Sequence, residues 1–491
     1  AHQRLAVGSA PAGDPPVLTV ERILWAVEGI TLAYFLILNC TYLLFTFISF
    51  HDLRRYRARV WRGDLRALLS DSSYLPVSIL VPAHNERNTV VANVRSLLTA
   101  TYPEFEVVVI NDGSTDDTME RLHEAFDLME VPPATCVSID TQPVRGVYRS
   151  LDHPNLVVVD KENGGKSDAL NAGINVSSYP LFCTIDADSL LESDALLRVA
   201  RSFAEDDRII ASGGIVRVLN GSVVKHGQVV EVRAPRTPML LCQSLEYVRG
   251  FLAGRTALAK MNCLLIISGA FGLFRKAPVL EVGGYQTKTV CEDMELVVRL
   301  HKETRRRKRN GRVVFVPDPV CWTQIPADWK SLLRQRDRWQ RGLLESLWMH
   351  RTMFLNPRYG AVGLIGFPFY VLFEALGPLI EVSGYLLLPI LYVTGHLNGP
   401  FVIMFLLLAV LFGIVLSVTA LILDDLLFRR YARTSDLLKM IAASVLEYLG
   451  FKQLLSLRRA LASISVFRRS GHWGKIEREE IQHSERRPVS A

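Results

Sequence analysis

Apolar residues are spread unevenly along this chain, and that unevenness limits the folds open to it. Ile23 to Phe50 carries one charge, Glu28. Phe401 to Leu423 carries none, and Val362 to Thr394 carries only Glu374 and Glu381. Each stretch is long enough to cross a hydrocarbon core of about 30 Å. The 362–394 stretch contains Pro368, Pro378 and Pro389, so it reads as one kinked span or as a tight hairpin. Leu437 to Leu457 is broken by Lys439, Glu447 and Lys452, and reads equally as a crossing or as a helix along the surface. Between these stretches, Asp52 to Arg358 has the pattern of a water-soluble α/β domain. With 491 residues the chain exceeds one ordinary domain.

The charge balance suits a membrane protein. The net charge is +7, and Arg54, Arg55, Arg57 and Arg59 follow the first apolar stretch closely. By the positive-inside rule they place that end in the cytosol, as the basic tail from Arg458 places the C-terminus. The run Arg305 to Arg309 lacks interleaved aromatics. It reads as a solvated loop or one touching anionic headgroups, not as a nucleic-acid site. The seven cysteines are scattered without a Cys-x-x-Cys pair, so neither a zinc site nor a disulfide framework is expected, in keeping with a reducing cytosol. The first apolar stretch lacks a small-residue cleavage site and reads as a retained anchor. The expected organisation is a disordered segment at 1–20, a transmembrane helix at 21–51 and a cytosolic domain at 52–330. Amphipathic interfacial helices at 331–359, transmembrane or re-entrant helices at 360–457 and a basic cytosolic tail at 458–491 follow.

Within 52–330, short apolar runs alternate with helical patterns. Pro76 to Pro82, Glu106 to Ile110, Leu156 to Val159, Leu181 to Ile185, Ile209 to Val218 and Val313 to Val316 read as strands. Asn88 to Ala100, Thr115 to Met129, Lys166 to Asn175 and Asp194 to Phe203 read as helices. This alternation predicts a mainly parallel sheet with ligands at the C-terminal strand ends.

Polar clusters stand at those ends. Pro82-Ala83-His84-Asn85-Glu86 follows the first strand, where an ordinary loop is an equal explanation. Asp112 follows the second; it can accept the ring N–H of a pyrimidine, or simply form the turn. Asn163-Gly164-Gly165-Lys166 places paired glycines and a lysine before a helix, a combination that suits phosphate without the spacing of a P-loop. Asp186-Ala187-Asp188 puts two carboxylates on one turn, able to hold a hard cation against a diphosphate. In Cys291-Glu292-Asp293-Met294-Glu295, one carboxylate can take a proton from an acceptor hydroxyl, or the group can cap a helix. Finally, Gln335-Arg336-Asp337-Arg338-Trp339 offers a guanidinium for phosphate and an indole face for a sugar ring. It equally suits a helix lying on the membrane surface.

Taken in order, these motifs resemble those of the processive family 2 glycosyltransferases of bacteria, which include poly-N-acetylglucosamine, cellulose, hyaluronan and chitin-oligosaccharide synthases. The resemblance covers about Pro76 to Trp339 and the flanking apolar segments. It implies a GT-A fold, an α/β catalytic domain with transmembrane and interfacial helices, and inverting transfer from a UDP-sugar with Mg²⁺ or Mn²⁺. By motif, Ala83, Glu86 and Asp112 would hold uridine, and Lys166 would lie near the base or diphosphate. Asp186 and Asp188 would serve the metal, with Asp188 the principal ligand. Gly269, Ala270 and Phe271 would line the acceptor site, Asp293 would be the general base, and Gln335, Arg338 and Trp339 would complete the site.

Cys291 stands where the family commonly has Thr. One apolar segment precedes the domain where several members have two, and no cyclic-di-GMP-binding domain is expected after Trp473. The implied partners are a UDP-sugar donor, a growing glycan or lipid acceptor, the bilayer of a bacterial inner membrane and an accessory membrane subunit. UDP-N-acetylglucosamine is preferred to UDP-glucose. The competing readings are a non-processive enzyme making a glycolipid and an inactive scaffold or transport subunit.

Overall fold

A computed structural model describes residues 16–62, 74–132, 137–225, 227–428, 431 and 433–465. A long helix, α1 (Pro16–Arg62), leads into β1 (Val77–Ala83), α2 (Val90–Leu98), β2 (Phe105–Asp112), α3 (Thr118–Phe126), β3 (Leu128–Val131) and β4 (Val144–Ser150). Then come β5 (Leu156–Lys161), α4 (Lys166–Val176), β6 (Leu181–Ile185), β7 (Leu190–Leu191), α5 (Ala195–Glu205) and β8 (Ile209–Val218). The hairpin β9 (Val223–Lys225) and β10 (Gln228–Glu231) precedes α6 (Pro238–Val248) and α7 (Thr256–Lys260). β11 (Phe271–Arg275), α8 (Lys276–Glu281), α9 (Glu292–Arg306), β12 (Arg312–Thr323) and α10 (Trp329–Met349) complete the domain.

Ten strands form one sheet in the order β3-β4-β5-β2-β1-β6-β11-β8-β12-β7. The Val- and Ile-rich runs of β1, β2 and β6 are buried almost throughout, as central strands covered on both faces must be. The sheet is mixed, which corrects the expectation of a mainly parallel one. β5, β2, β1 and β6 are parallel, but β11 runs antiparallel to both β6 and β8, and β4 antiparallel to β5. β11 was hidden inside a Gly-rich string, and β4 reads Val-Arg-Gly-Val-Tyr-Arg-Ser, too polar to signal a strand. The helix expected to reach Met129 stops at Phe126, where Asp127 turns left-handed and opens β3.

Four helical stretches among the described residues are long and apolar enough to cross a membrane: Glu21–Ala58, Val362–Val393, Gly399–Phe428 and Thr434–Ser465. α1 begins at Pro16, so the last residues of the segment expected to be disordered are helical, while 1–15 lie outside the described residues. The 362–394 region is a single kinked stretch, not a hairpin; its second part, α11 (Gly377–Val393), restarts at Gly377 with Pro378 in its first turn. α12 (Gly399–Leu406) and α13 (Phe412–Phe428) form the third stretch. The fourth is broken into α14 (Thr434–Leu446) and α15 (Lys452–Ser465), because Gly450 takes φ 133°, which favours glycine. α14 packs on α6, and α15 packs on α10 and α11. Residues 458–465 therefore belong to a helix, not to a free tail; 466–491 lie outside the described residues.

A buried ion pair joins the sheet to the third stretch. Arg217, at the end of β8, grips Asp424 with both terminal nitrogens, and the two side chains are only 8% and 3% exposed. Removing one partner strands the other charge away from water, which costs about 3–5 kcal/mol. Asp424→Ala is therefore expected to lower the thermal midpoint of the detergent-solubilised protein by several degrees. An unchanged midpoint would show that the pair does not hold the two parts together.

Candidate active site

The C-terminal ends of β1, β2 and β6 meet at one edge of the sheet, where their apolar runs give way to polar residues. Asp112 is turned inward there. Its Oδ1 accepts from Lys161 Nζ (2.7 Å) and Gly164 N (3.0 Å), and its Oδ2 from Gly165 N (2.8 Å). Lys161 also contacts Asp168 at 2.6 Å. The Gly164 and Gly165 amides, offered to phosphate on sequence grounds, are thus engaged by Asp112. The glycines are needed for the turn itself, since Gly165 has φ +85° and a Cβ on Gly164 would collide with Asp168. Ala83 is buried at the end of β1, and the Glu86 carboxylate accepts from Thr89 Oγ1 (2.7 Å) at the start of α2.

A cavity of about 900 Å³ opens beside this edge. Lys166, Asp186, Asp188, Gly269, Ala270, Asp293, Gln335, Arg338 and Trp339 line it; Ala83, Glu86, Asp112 and Phe271 do not. Phe271 is a correction: as the first residue of β11 its side chain is fully buried in the core and does not reach the cavity. The cavity continues between the apolar helices, past Asn39, Tyr42, Glu381 and Lys452.

Lys166 is the electrostatic centre. Its Nζ lies 2.6 Å from Asp186 Oδ1, 3.3 Å from Glu292 Oε1 and 3.4 Å from Gly269 O. Burial works against the ammonium charge, but Asp186 and Glu292 outweigh it and hold Lys166 above the ordinary lysine range. Burial, with Asp293 alongside, pushes the Glu292 carboxyl up, against the pull of Lys166. Asp293 is held by three donors: Gly269 N to Oδ2 (2.9 Å), and Met294 N (2.8 Å) and Cys291 Sγ (3.2 Å) to Oδ1. Burial and Asp293 raise the Cys291 thiol well above its usual value, so it stays a neutral donor. That is the service the hydroxyl of Thr would give.

The helix α10 presents Gln335, Arg338 and Trp339 to the cavity on one face. Gln335 Oε1 is buried without a hydrogen-bond partner. Arg336 pairs with Glu246 at 2.5 Å and lies 4.4 Å from the centre of the Trp339 ring, fixing the indole. α10 approaches the Cys291 loop at Gly342, where a Cβ would fall 2.2 Å from Cys291 Cβ. Gly342→Ala is expected to push this helix off the first turn of α9, where Asp293 sits, costing about 1–3 kcal/mol and slowing turnover. Wild-type turnover and stability would mean that the contact is not a close-packed one.

Sequence reasoning missed Lys161, Glu292 and Glu246 as site-building residues. Lys161 had a signal: a lysine closing an apolar strand, level with Asp112 in the parallel register. Glu246 had none, because its partner Arg336 lies far along the chain.

Both carboxylates of the Asp-Ala-Asp turn, Asp186 and Asp188, face the cavity, and no cluster of three or more His, Cys, Asp or Glu forms a metal site among the described residues. This fits a hard cation such as Mg²⁺ that takes one or two protein carboxylates and completes its shell with phosphate oxygens and water.

The family model for glycosyl transferase family 2 matches residues 78–277, and that for glycosyl transferase family group 2 matches residues 181–416. Residues 78–277 thus match a family 2 glycosyltransferase domain. It is 27% identical over 297 residues to a poly-β-1,6-N-acetyl-D-glucosamine synthase of Staphylococcus aureus, covering 60% of each chain. Against the enzyme of the same name from Staphylococcus epidermidis it is 28% identical over 277 residues, 55% of this chain and 56% of the relative. The chain thus spans less than two thirds of the length of these relatives. A solved mannosyltransferase from Pyrobaculum calidifontis, in complex with GDP-Man and Mn²⁺, aligns over 86% of this chain and 99% of its own, with 17% identity and a TM-score of 0.48, too distant to argue from.

Proposed function

We propose that this chain is a membrane-embedded inverting β-glycosyltransferase that polymerises a UDP-sugar, UDP-N-acetylglucosamine before UDP-glucose, into an exopolysaccharide. The observation that carries the reading is the shared cavity: Asp186, Asp188, Asp293 and Trp339 face a space that runs on between apolar helices. A soluble enzyme acting on a small acceptor has no use for that continuity. The setting is a bacterial inner membrane with the catalytic domain in the cytosol, as the arginines after the first span favour. The likeness to poly-β-1,6-N-acetyl-D-glucosamine synthases supports the choice of donor.

In this reading the uridine sits at the ends of β1 and β2, near Ala83, Glu86 and Asp112. Asp112 acts by pinning the Gly164–Gly165 turn that sets Lys166 in place. Asp188 and Asp186 would hold Mg²⁺ or Mn²⁺, which when bound supplies positive charge against the diphosphate. Trp339 supports the acceptor sugar, while Gly269 and Ala270 bound its pocket. Asp293 takes the proton of the acceptor hydroxyl as that oxygen bonds to C1 of the donor sugar. The C1–O bond to UDP breaks on the opposite face, with inversion, and Arg338 steadies the departing diphosphate.

The test is UDP release by purified protein in lipid nanodiscs, with a panel of UDP-sugars and either metal, followed by sizing of the product. UDP-N-acetylglucosamine is expected to give the fastest release and products many sugars long. Single-sugar lipid products would replace this reading with glycolipid synthesis. Absence of UDP release from every donor would leave a scaffold or transport subunit.

A further inference from the structure

The arginines that open the basic C-terminal stretch face inward, onto the helix that carries Trp339. Arg458 Nη2 lies 3.2 Å from Asp337 Oδ1, between Gln335 and Trp339 in sequence. Arg459 Nε donates to Gln340 Oε1 at 2.8 Å, directly after Trp339. Its Nη2 donates to the Glu374 backbone carbonyl at 2.8 Å and lies 3.3 Å from Glu374 Oε2. Gln340 is 1% exposed, and its amide nitrogen donates to Ala375 O (3.1 Å) and Ser463 Oγ (3.0 Å). The Tyr42 hydroxyl closes the chain on Glu374 at 3.1 Å. One partly buried network, with Gln340 at its buried centre, therefore joins α10, α15 and the first and second apolar spans.

The arrangement around α10 has a consequence for the site. Gln335, Arg338 and Trp339 follow the i, i+3, i+4 spacing of one helix face. The neighbouring positions are each tethered to another element: Arg336 to Glu246, Asp337 to Arg458 and Gln340 to Arg459. A helix held on several sides cannot roll about its axis, and roll is the motion that would swing the Trp339 ring and the Arg338 guanidinium within the cavity.

We propose that Arg458 and Arg459 are positioning residues: they fix the rotation of α10 and couple the acceptor-side face of the site to the opening between the first and second spans. The proposal rests on the glycosyltransferase reading of the cavity. Arg459 is suited to the task because its planar fork reaches Gln340 and Glu374 together, which a lysine ammonium cannot.

The experiment uses the chain in nanodiscs with UDP-N-acetylglucosamine, rates being normalised to UDP-binding sites. Arg459→Ala is expected to lower kcat about tenfold, as small misplacements of site groups do, with donor KM within twofold of wild type and shorter products. Arg459→Lys should not rescue either property. Product length is the discriminating readout, since loss of folded enzyme lowers total rate but leaves each remaining enzyme making full-length chains. Wild-type kcat and product length in Arg459→Ala would overturn the proposal. If Arg459→Ala does not fold, the exchange of charges decides: Asp337→Arg and Arg458→Asp should each shorten products, and the double variant should restore them. Failure of the double variant to recover counts against the clamp.

Thermal midpoints of Asp337→Ala, Arg458→Ala and their combination give a test free of activity. The double variant is expected to lose no more than the worse single one, and additive losses would sink the pairing. Should wild type release no UDP from any donor while this coupling holds, the proposed function has failed and the clamp has not.

Discussion

Asp293→Asn is expected to cut UDP release about 1,000-fold, the scale of a lost general base, while UDP binding stays near wild type. The carboxylate is immobilised by Gly269 N and Met294 N on opposite oxygens, with Cys291 Sγ as a third donor. Oδ1 already accepts from two donors, but Oδ2, which accepts from Gly269 N, keeps capacity for one more, and the acceptor hydroxyl is the group that would use it. Asparagine preserves the shape but replaces one acceptor oxygen with a donor. That nitrogen would face a backbone N–H whichever way the amide is turned, and it cannot receive a proton. Asp293 does not touch Lys166 directly; Asp186 and Glu292 do. The donor side should therefore be spared, and the defect should appear in kcat and not in donor KM. Turnover within tenfold of wild type would remove Asp293 from the role of base. The candidate would then be Glu292, whose carboxyl is raised by burial.

The parts of this site that could be read in the sequence are those that local rules determine. An apolar run ending in Asp-Ala-Asp marks a strand end with carboxylates, and β6 delivers Asp186 and Asp188 to the cavity accordingly. The same rule placed Asp112 correctly at the end of β2, but not its partner: a parallel register set it level with Lys161, and only the assembled sheet makes that pair. Phe271 shows the opposite failure. The string Ser-Gly-Ala-Phe-Gly drew attention to a lining, yet Ala270, in the turn before β11, reaches the cavity while Phe271 opens the strand and lies in the core. The mixed sheet was illegible for a related reason. β11 is five residues long and no feature of Phe-Gly-Leu-Phe-Arg states which way it runs. At the C-terminus, Gly450 was one glycine in an apolar stretch. Its positive φ breaks the helix and folds Arg458 and Arg459 back onto α10, where composition alone suggested a solvated tail.

Asp188→Asn is expected to abolish the stimulation of UDP binding by Mg²⁺ or Mn²⁺ and to lower turnover about 1,000-fold, in the range attributed to electrostatic stabilisation of a leaving group. Asp186, Asp188, Glu292 and Asp293 crowd one wall of the cavity, and the ammonium of Lys166 is already shared between Asp186 and Glu292. A diphosphate brought to that wall adds negative charge that Lys166 and Arg338 do not balance alone. Asp188 and Asp186 would hold a divalent cation there, which when bound would supply the missing positive charge. Asp186→Asn should be the milder lesion for cation binding but should also disturb Lys166, which would retain Glu292 at 3.3 Å as its remaining carboxylate contact. The two variants therefore separate on a readout that does not depend on turnover. In titration calorimetry with UDP, Asp188→Asn should bind equally with and without Mn²⁺, whereas Asp186→Asn should keep a reduced response. A full Mn²⁺ response in Asp188→Asn would move the cation away from this pair of carboxylates. Residues other than Asp188 would then hold the cation, and chelation would lower turnover in the variant as it does in wild type.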